Sequence, residues 1–323
     1  MVKTREYLNR ISNLVQSEFE REISTTDIFG LEKIYAYSFK DIGIRFRSSL
    51  FCLGCSFQKE LIEDFIDLAV GIELLQTSTL ILDDIFDNAK KRNEKDASYV
   101  KFGYSPTIVS AELMHQHLIK KTINHCKLKD VCKLNILSLF NDAYIHIYKG
   151  QFKDISPELY INSISDYELL IEQTTGRFIR NSLLAGYAVG QSTEFETQLS
   201  AYGFHIGQAY QIRDDIIDFI AVEGTGKDIC LDIKEGKRRI PLILLKENLI
   251  KEELVSKIWN KRAALSNEDI ENVVDLIFEN GIDKMCVNKL SIHCNKAHDA
   301  IKDLPYCREK SILMDLVKLI NKI

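Results

Sequence analysis

Prolines are scarce in this chain: four in 323 residues, at Pro106, Pro157, Pro241 and Pro305. Glycines, at 15, are few as well. So few chain breakers leave long stretches free to run as helix. They argue against a fold of many short strands, whose turns need both residues. A basic excess is also missing, with 42 Lys and Arg against 47 Asp and Glu for a net charge of -5. A nucleic-acid binder would carry a basic footprint, so no nucleic-acid partner is expected. A local basic pocket for an anionic substrate stays open. No run reads as approaching the roughly 18 consecutive apolar residues of a membrane span, and mean hydropathy is -0.10. The expectation is a chain with no integral membrane segment. The opening MVKTREYLNR is charged and lacks the apolar core of a secretory leader, and the closing LINKI holds no cysteine for prenylation. Together these point to the cytoplasm.

What is present is an ordinary globular composition, 46% hydrophobic and 28% charged, which rules out a disordered chain. The eight cysteines, Cys52, Cys55, Cys126, Cys132, Cys230, Cys286, Cys294 and Cys307, show no compact spacing. They read as reduced thiols rather than a disulfide framework. Cys52-x-x-Cys55 has no second pair at zinc-finger spacing, so it reads as a packed helix face. The loose group of Cys286, His293, Cys294 and His298 reads as a solvated helix rather than a zinc site.

Residues 59–82 carry apolar side chains at 61, 62, 65, 66, 69, 72, 75 and 80, the period of an amphipathic helix. Helical spacing also runs through 158–219, and through 249–321 with interruptions at Gly281 and Pro305. Two polar, charged, glycine-bearing stretches, 88–106 and 221–241, read as loops. Each follows an apolar helix. The chain reads as one all-α domain of about ten or more helices, with no repeats and no linker.

The first long helix ends in Asp83-Asp84-Ile85-Phe86-Asp87, and a second such triplet lies at Asp214-Asp215-Ile216-Ile217-Asp218. On a helix, positions i and i+4 share a face, so each motif projects two or three carboxylates from one side. Like charges near a helix C-terminus repel one another and oppose the macrodipole, so a cation should compensate them. Magnesium takes hard oxygen ligands and is commonly shared between carboxylates and substrate phosphates. Two such faces opposed across a cavity could hold Mg²⁺ ions with a diphosphate between them. Lys91 and Arg92 after the first motif, and Lys227, Lys237, Arg238 and Arg239 after the second, supply charges that suit a diphosphate.

These motifs resemble those of the trans-type (E)-polyprenyl diphosphate synthase family, which includes geranylgeranyl and farnesyl diphosphate synthases. Besides the two aspartate triplets, Tyr210-Gln211-x-x-Asp214-Asp215 resembles the family's FQ-x-x-DD. Gly226-Lys227 through Asp232, Glu235-Gly236-Lys237 and Pro241 resemble its GK…D-x-x-EGK…P loop, and Gly150-Gln151-x-x-Asp154 its GQ-x-x-D. The likeness runs from about residue 40 to 245. It implies the isoprenoid synthase fold, a single large helical bundle around a central cavity and spanning 1–323 as one domain. It also implies an Mg²⁺-dependent prenyltransferase condensing an allylic prenyl diphosphate with isopentenyl diphosphate, usually as a homodimer. By the resemblance Asp83, Asp87, Asp214 and Asp218 ligate three Mg²⁺, with Mn²⁺ as an alternative, while Asp84 and Asp215 assist. Lys227, Lys237 and Lys91 grip the allylic diphosphate, and Gln211 orients the substrate.

The departures concentrate on the isopentenyl side. The family's GKR-x-R-P reads Gly43-Ile44-Arg45-Phe46-Arg47-Ser48, so its lysine is Ile44. The family histidine seven residues before the first aspartate is Gln76, while on the allylic side its KT pair reads Thr174-Thr175, so a lysine of that site is missing too. Arg45 and Arg92 remain for the second diphosphate. Two readings stay open: a divergent chain elongator, or a terpene-synthase-like enzyme that ionises a preformed prenyl diphosphate without isopentenyl diphosphate. A non-catalytic partner of a heteromer would be marked by lost aspartates, and both triplets are complete. Thr79 and Ser78, four and five residues before Asp83, form the expected floor of the tail cavity. Both are small, which favours products of C20 or longer unless Met114 or His115 closes the cavity. His205 reads as a packed histidine.

Overall fold

The computed structural model describes all residues except 1, 26–29, 41–42, 220–230, 235, 250–254, 256–258, 260–265 and 323. The chain divides into two compact units. The first comprises residues 1–142, 181–200 and 306–312, and the second comprises 143–180, 201–305 and 313–323.

The first unit is organised on α4 (Ile66–Phe86), entered through a 3₁₀ turn at Ile62–Phe65. It packs along α6 (Tyr104–Asn124) and against α1 (Val2–Thr25), α2 (Glu32–Phe39) and α3 (Phe46–Phe57). On α1 the buried positions Tyr7, Leu8, Ile11, Val15 and Phe19 follow the helical period and form one apolar stripe. The start of α3 is satisfied from a distance, as buried Glu73 of α4 accepts from Ser48 N at 2.9 Å. A Cβ on Gly186 would fall 1.9 Å from Phe51 O, so only glycine lets the backbone at 186 approach α3 so closely.

Residues 88–106, expected as a loop, hold more structure. Lys91–Arg92 (β1) and Lys95–Asp96 (β2) pair antiparallel, and Ser98–Phe102 forms a short helix α5. The turn between the strands places Asn93 and Glu94 at φ 48 and 65, a left-handed pair made without glycine. One further expectation needs correcting. Ile62–Phe86 is long and apolar enough by length and composition to cross a membrane. Its interspersed Thr, Ser, Gln and Glu break the apolar run but barely lower the mean. The window is 78% buried in the protein, as suits a core helix.

The chain passes between the units in α7 (Asp130–Ile155). In the second unit α8 (Pro157–Tyr160) begins on a proline, and α9 (Ile164–Ile171) begins on a capping box of Ser163 and Asp166. A five-residue π turn, Glu172–Gly176, joins α9 to α10 (Arg177–Tyr187). The helical stretch expected over 158–219 is thus interrupted here and again before α11 (Glu196–Phe219). Then come α12 (Leu231–Lys234), α13 (Ile240–Asn248), α14 (Asn267–Glu279), α15 (Ile282–Ile301) and α16 (Arg308–Ile320). Gly281 at φ 66 separates α14 from α15, and Pro305 lies between α15 and α16, as the spacing predicted.

The seven described cysteines are free, and Cys52 and Cys55 are buried on α3. Cys286, His293 and Cys294 are buried too. This corrects the expectation of a solvated helix: they form the packed stripe of α15. His205 packs there, its Nδ1 3.4 Å from His293 Nδ1.

Candidate active site

The first aspartate motif occupies the last turn of α4. Asp84 is 4% exposed and turned into the protein, where Arg92 Nε donates to both its carboxylate oxygens at 2.9 and 3.0 Å. Arg92 Nη2 also reaches Asp83 Oδ2 at 3.5 Å. Asp83 and Asp87 are part-exposed and lie one turn apart on the same face. The β1–β2 hairpin places Arg92, and Lys91 before it is exposed. Gln76 is buried on α4. Ser78 and Thr79 donate their hydroxyls to the carbonyls of Leu75 and Gln76 at 2.7 and 2.8 Å. With those hydroxyls satisfied, the helix surface there can face an apolar ligand. Met114 is fully buried on α6, and His115 is part-buried.

Arg45 does not present a guanidinium to solvent. It is 4% exposed, sits at φ 48, donates to Gln16 Oε1 and to Phe39 O, and lies 4.2 Å over the Phe39 ring. Ile44 beside it is 45% exposed.

The second motif, within the second unit, repeats the arrangement of the first. Asp214 is exposed, Asp218 is part-exposed, and the middle residue, Asp215, is 3% exposed. Tyr167 Oη donates to Asp215 Oδ2 at 2.6 Å, and Gln211 Nε2 donates to Asp215 Oδ1 at 2.8 Å. Thr175 Oγ1 donates in turn to Gln211 Oε1 at 2.6 Å. Burial pushes the Asp215 carboxyl up to about 7, against the pull of Arg239 and these two hydrogen bonds. The network depends on a close approach of backbones. A Cβ on Gly207 would fall 2.7 Å from Gly176 Cα, so α11 lies directly on the π turn that carries Thr174 and Thr175. Thr174 itself donates to Leu170 O at 3.1 Å.

The basic residues after the second motif divide by task. Arg239 forms a two-pronged pair with Asp154 at 2.7 and 2.9 Å, and its Nε lies 3.6 Å from Asp232 Oδ2. Arg238 is buried, donating to the carbonyls of Pro157, Ile161 and Trp259, and so braces the scaffold rather than offering charge to a ligand. Lys237 lies 4.0 Å from Asp232 Oδ1, and Asp232 N donates to Asp218 Oδ2 at 3.3 Å. Gly226, Lys227 and Glu235 lie outside the described residues.

Tyr167 carried no signal in the sequence, because its partner is 48 residues away. Among the described residues no three His, Cys, Asp or Glu side chains converge as a ready-made metal centre. The carboxylates that point outward form two i, i+4 pairs of hard oxygen donors. That donor chemistry suits a divalent cation completed by a phosphate ligand.

Residues 30–277 match the family model for polyprenyl synthetase. The chain is 28% identical over 241 residues to a short chain isoprenyl diphosphate synthase of Methanocaldococcus jannaschii, covering 73% of this chain and 72% of that protein. It is 27% identical over 286 residues to a geranylgeranyl diphosphate synthase of Sulfolobus acidocaldarius, covering 86% and 85%. Among solved structures, a geranylgeranyl pyrophosphate synthetase from Pyrococcus horikoshii superposes with a TM-score of 0.90 over 99% of both chains at 24% identity. The fold is therefore the all-α isoprenoid synthase fold, and the chain belongs to the polyprenyl synthetase family of prenyltransferases.

Proposed function

We propose that this enzyme condenses an allylic prenyl diphosphate with isopentenyl diphosphate to a longer all-trans prenyl diphosphate, with C20 or longer products favoured. The observation that carries the reading is the shared design of the two motifs. In each, the middle aspartate is buried and pinned by a neighbour, Arg92 in one and Tyr167 with Gln211 in the other. The outer pairs, Asp83 with Asp87 and Asp214 with Asp218, are left to ligate Mg²⁺. When bound, the metal supplies charge stabilisation at the departing diphosphate oxygen. The protein's own part is to hold those carboxylates at fixed spacing, to add cationic charge through Lys91, Lys227 and Lys237, and to keep Gln211 oriented through Thr175. The small Ser78 and Thr79 leave room for a long tail, and the similarity to a geranylgeranyl diphosphate synthase supports that range. In this reading the whole chain acts as one catalytic domain, as a cytoplasmic homodimer.

A second reading, ionisation of a preformed prenyl diphosphate without isopentenyl diphosphate, is favoured by one feature. Ile44 replaces the family's lysine, and Arg45 is turned onto Phe39. The deciding experiment offers C5 to C20 allylic diphosphates with Mg²⁺, each with and without isopentenyl diphosphate, and reads products by mass spectrometry. Elongated diphosphates formed only with isopentenyl diphosphate support the first reading. Hydrocarbon or alcohol formed equally without it establishes the second. Asp83→Asn and Asp214→Asn should each abolish turnover, and full activity in either would sink both.

A further inference from the structure

The β1–β2 hairpin carries Lys91 and Arg92 beside the first aspartate motif, yet little within the hairpin holds it there. Each strand is two residues long, and a lone ribbon of that size is not stable by itself. Its turn places Asn93 and Glu94 at φ 48 and 65. Glycine is the favoured residue at the second of these positions, so Glu94 makes the turn a weak clasp. Nor is the hairpin bedded closely on the helices beneath it. A cavity of about 60 Å³ lies between it, α2 and α4, bordered by Tyr37, Thr77, Asp84, Arg92 and Lys95.

Its place is set instead by a tether on each strand. On β1, Arg92 Nε donates to both carboxylate oxygens of Asp84. On β2, the hydroxyl of Tyr37 donates to Asp96 O at 2.8 Å, across 59 residues of chain. Asp96 is the register partner of Lys91, so this second tether acts on the residue that faces Lys91 across the ribbon. The Tyr37 ring is itself held between α2, which carries it, and α5. Phe102 meets it edge-on at 5.3 Å between centroids, and Lys101 Nζ lies 3.9 Å from its centroid. The neighbouring Ser38 Oγ is 2.8 Å from Ser98 Oγ at the start of α5. Ala97 N donates to Lys90 O at 2.9 Å and closes the base of the hairpin. The phenol is therefore a fixed point. A tyrosine kept only for its packing would not need the hydroxyl bond to the strand.

We propose that Tyr37 is a positioning residue for the reaction: its hydroxyl fixes the strand that pairs with Lys91, and so the place from which Lys91 reaches a substrate diphosphate. With Arg92 pinned to Asp84 on the other strand, the hairpin becomes a rigid arm for that one cation. This role rests on the reading of Lys91 as a diphosphate contact.

The test is calorimetric titration of the intact protein with inorganic diphosphate and Mg²⁺, for the wild type, Tyr37→Phe, Lys91→Ala and the double variant, alongside amide hydrogen exchange. Tyr37→Phe keeps the ring and its contacts and loses only the tether. It should weaken diphosphate binding by about threefold or more. Lys91→Ala should weaken it by about tenfold. The double variant should bind no more weakly than Lys91→Ala alone, because Tyr37 acts through Lys91. Exchange at Ala97 N–H should quicken severalfold in Tyr37→Phe, with the amides of α4 unchanged. Unchanged exchange in Tyr37→Phe overturns the tether, and unchanged affinity overturns the positioning. A loss that persists in full on the Lys91→Ala background also overturns it, since that is the mark of general loosening. Wild-type affinity in Lys91→Ala would overturn it by removing the contact on which it rests. The exchange readout needs no substrate, so that failure is told apart from a failure of the tether.

Discussion

Arg239→Ala offers a sharp test of how the second unit holds its carboxylates. The guanidinium is 15% exposed and faces Asp154, 6% exposed, through two parallel hydrogen bonds. It also lies 3.6 Å from Asp232 and within the field of buried Asp215. Replacing it with alanine removes the two-pronged partner of the buried Asp154 carboxylate, a loss of about 3–5 kcal/mol for a broken buried pair. For a 323-residue chain unfolding as one, an unfolding entropy of about 2.1 cal/mol/K per residue converts this to a Tm lower by about 4–7 °C. Scanning calorimetry of the wild type, Arg239→Ala, Arg239→Lys and the double replacement Arg239→Met with Asp154→Leu would measure it. Lysine keeps the charge but not the fork, so it should fall between wild type and alanine. The double variant should recover much of the loss, because the buried Asp154 carboxylate goes together with its two-pronged partner. A loss below about 1 kcal/mol for Arg239→Ala would refute the reasoning, as would a double variant less stable than the single.

Further outcomes follow from other contacts. Tyr167→Phe deletes the donor to Asp215 and should lower stability by about 1–3 kcal/mol in denaturant titration; an unchanged midpoint would show that the bond carries nothing. His125 is held above its ordinary value mainly by its bond with Asp67, against burial. Its contribution to stability is then complete below about pH 6.5, the unfolded value, and fades as pH rises through the raised folded value. The difference in Tm between wild type and His125→Gln should therefore shrink from pH 6 to pH 8.5, and a constant difference would remove the pair as its cause. Ser78→Phe should shorten the product measured by mass spectrometry, and an unchanged chain length would displace Ser78 from the floor of the tail cavity.

Much of this was legible in the sequence because helix and motif both depend on short spacings. The rarity of Pro and Gly, the apolar period of 59–82 and the two aspartate triplets each sit within a few residues of chain. What stayed hidden depended on distance or direction. The hairpin at Lys91–Asp96 turns on Asn93 and Glu94 rather than on glycine, so a charged strip masked two strands. Arg45 read as a ligand contact, yet its left-handed backbone turns it onto Phe39. Arg238 read as one more phosphate-facing charge, but the carbonyls that hold it come from residues 157, 161 and 259. No local pattern announces such partners.

The π turn at Glu172–Gly176 has a consequence for helical phase. Tyr167 and Thr175 are eight residues apart, and in an unbroken α-helix that spacing carries the second side chain about 80° round from the first. A π turn absorbs one extra residue, which leaves an effective separation of seven, close to two whole turns. Both side chains thereby come to one line, where Tyr167 meets Asp215 and Thr175 meets Gln211, themselves one turn apart on α11. One surplus residue absorbed in the turn keeps two helices in step, and straightening the turn to plain α-helix at the same length would carry Thr175 about 80° off the line without changing any of the four side chains.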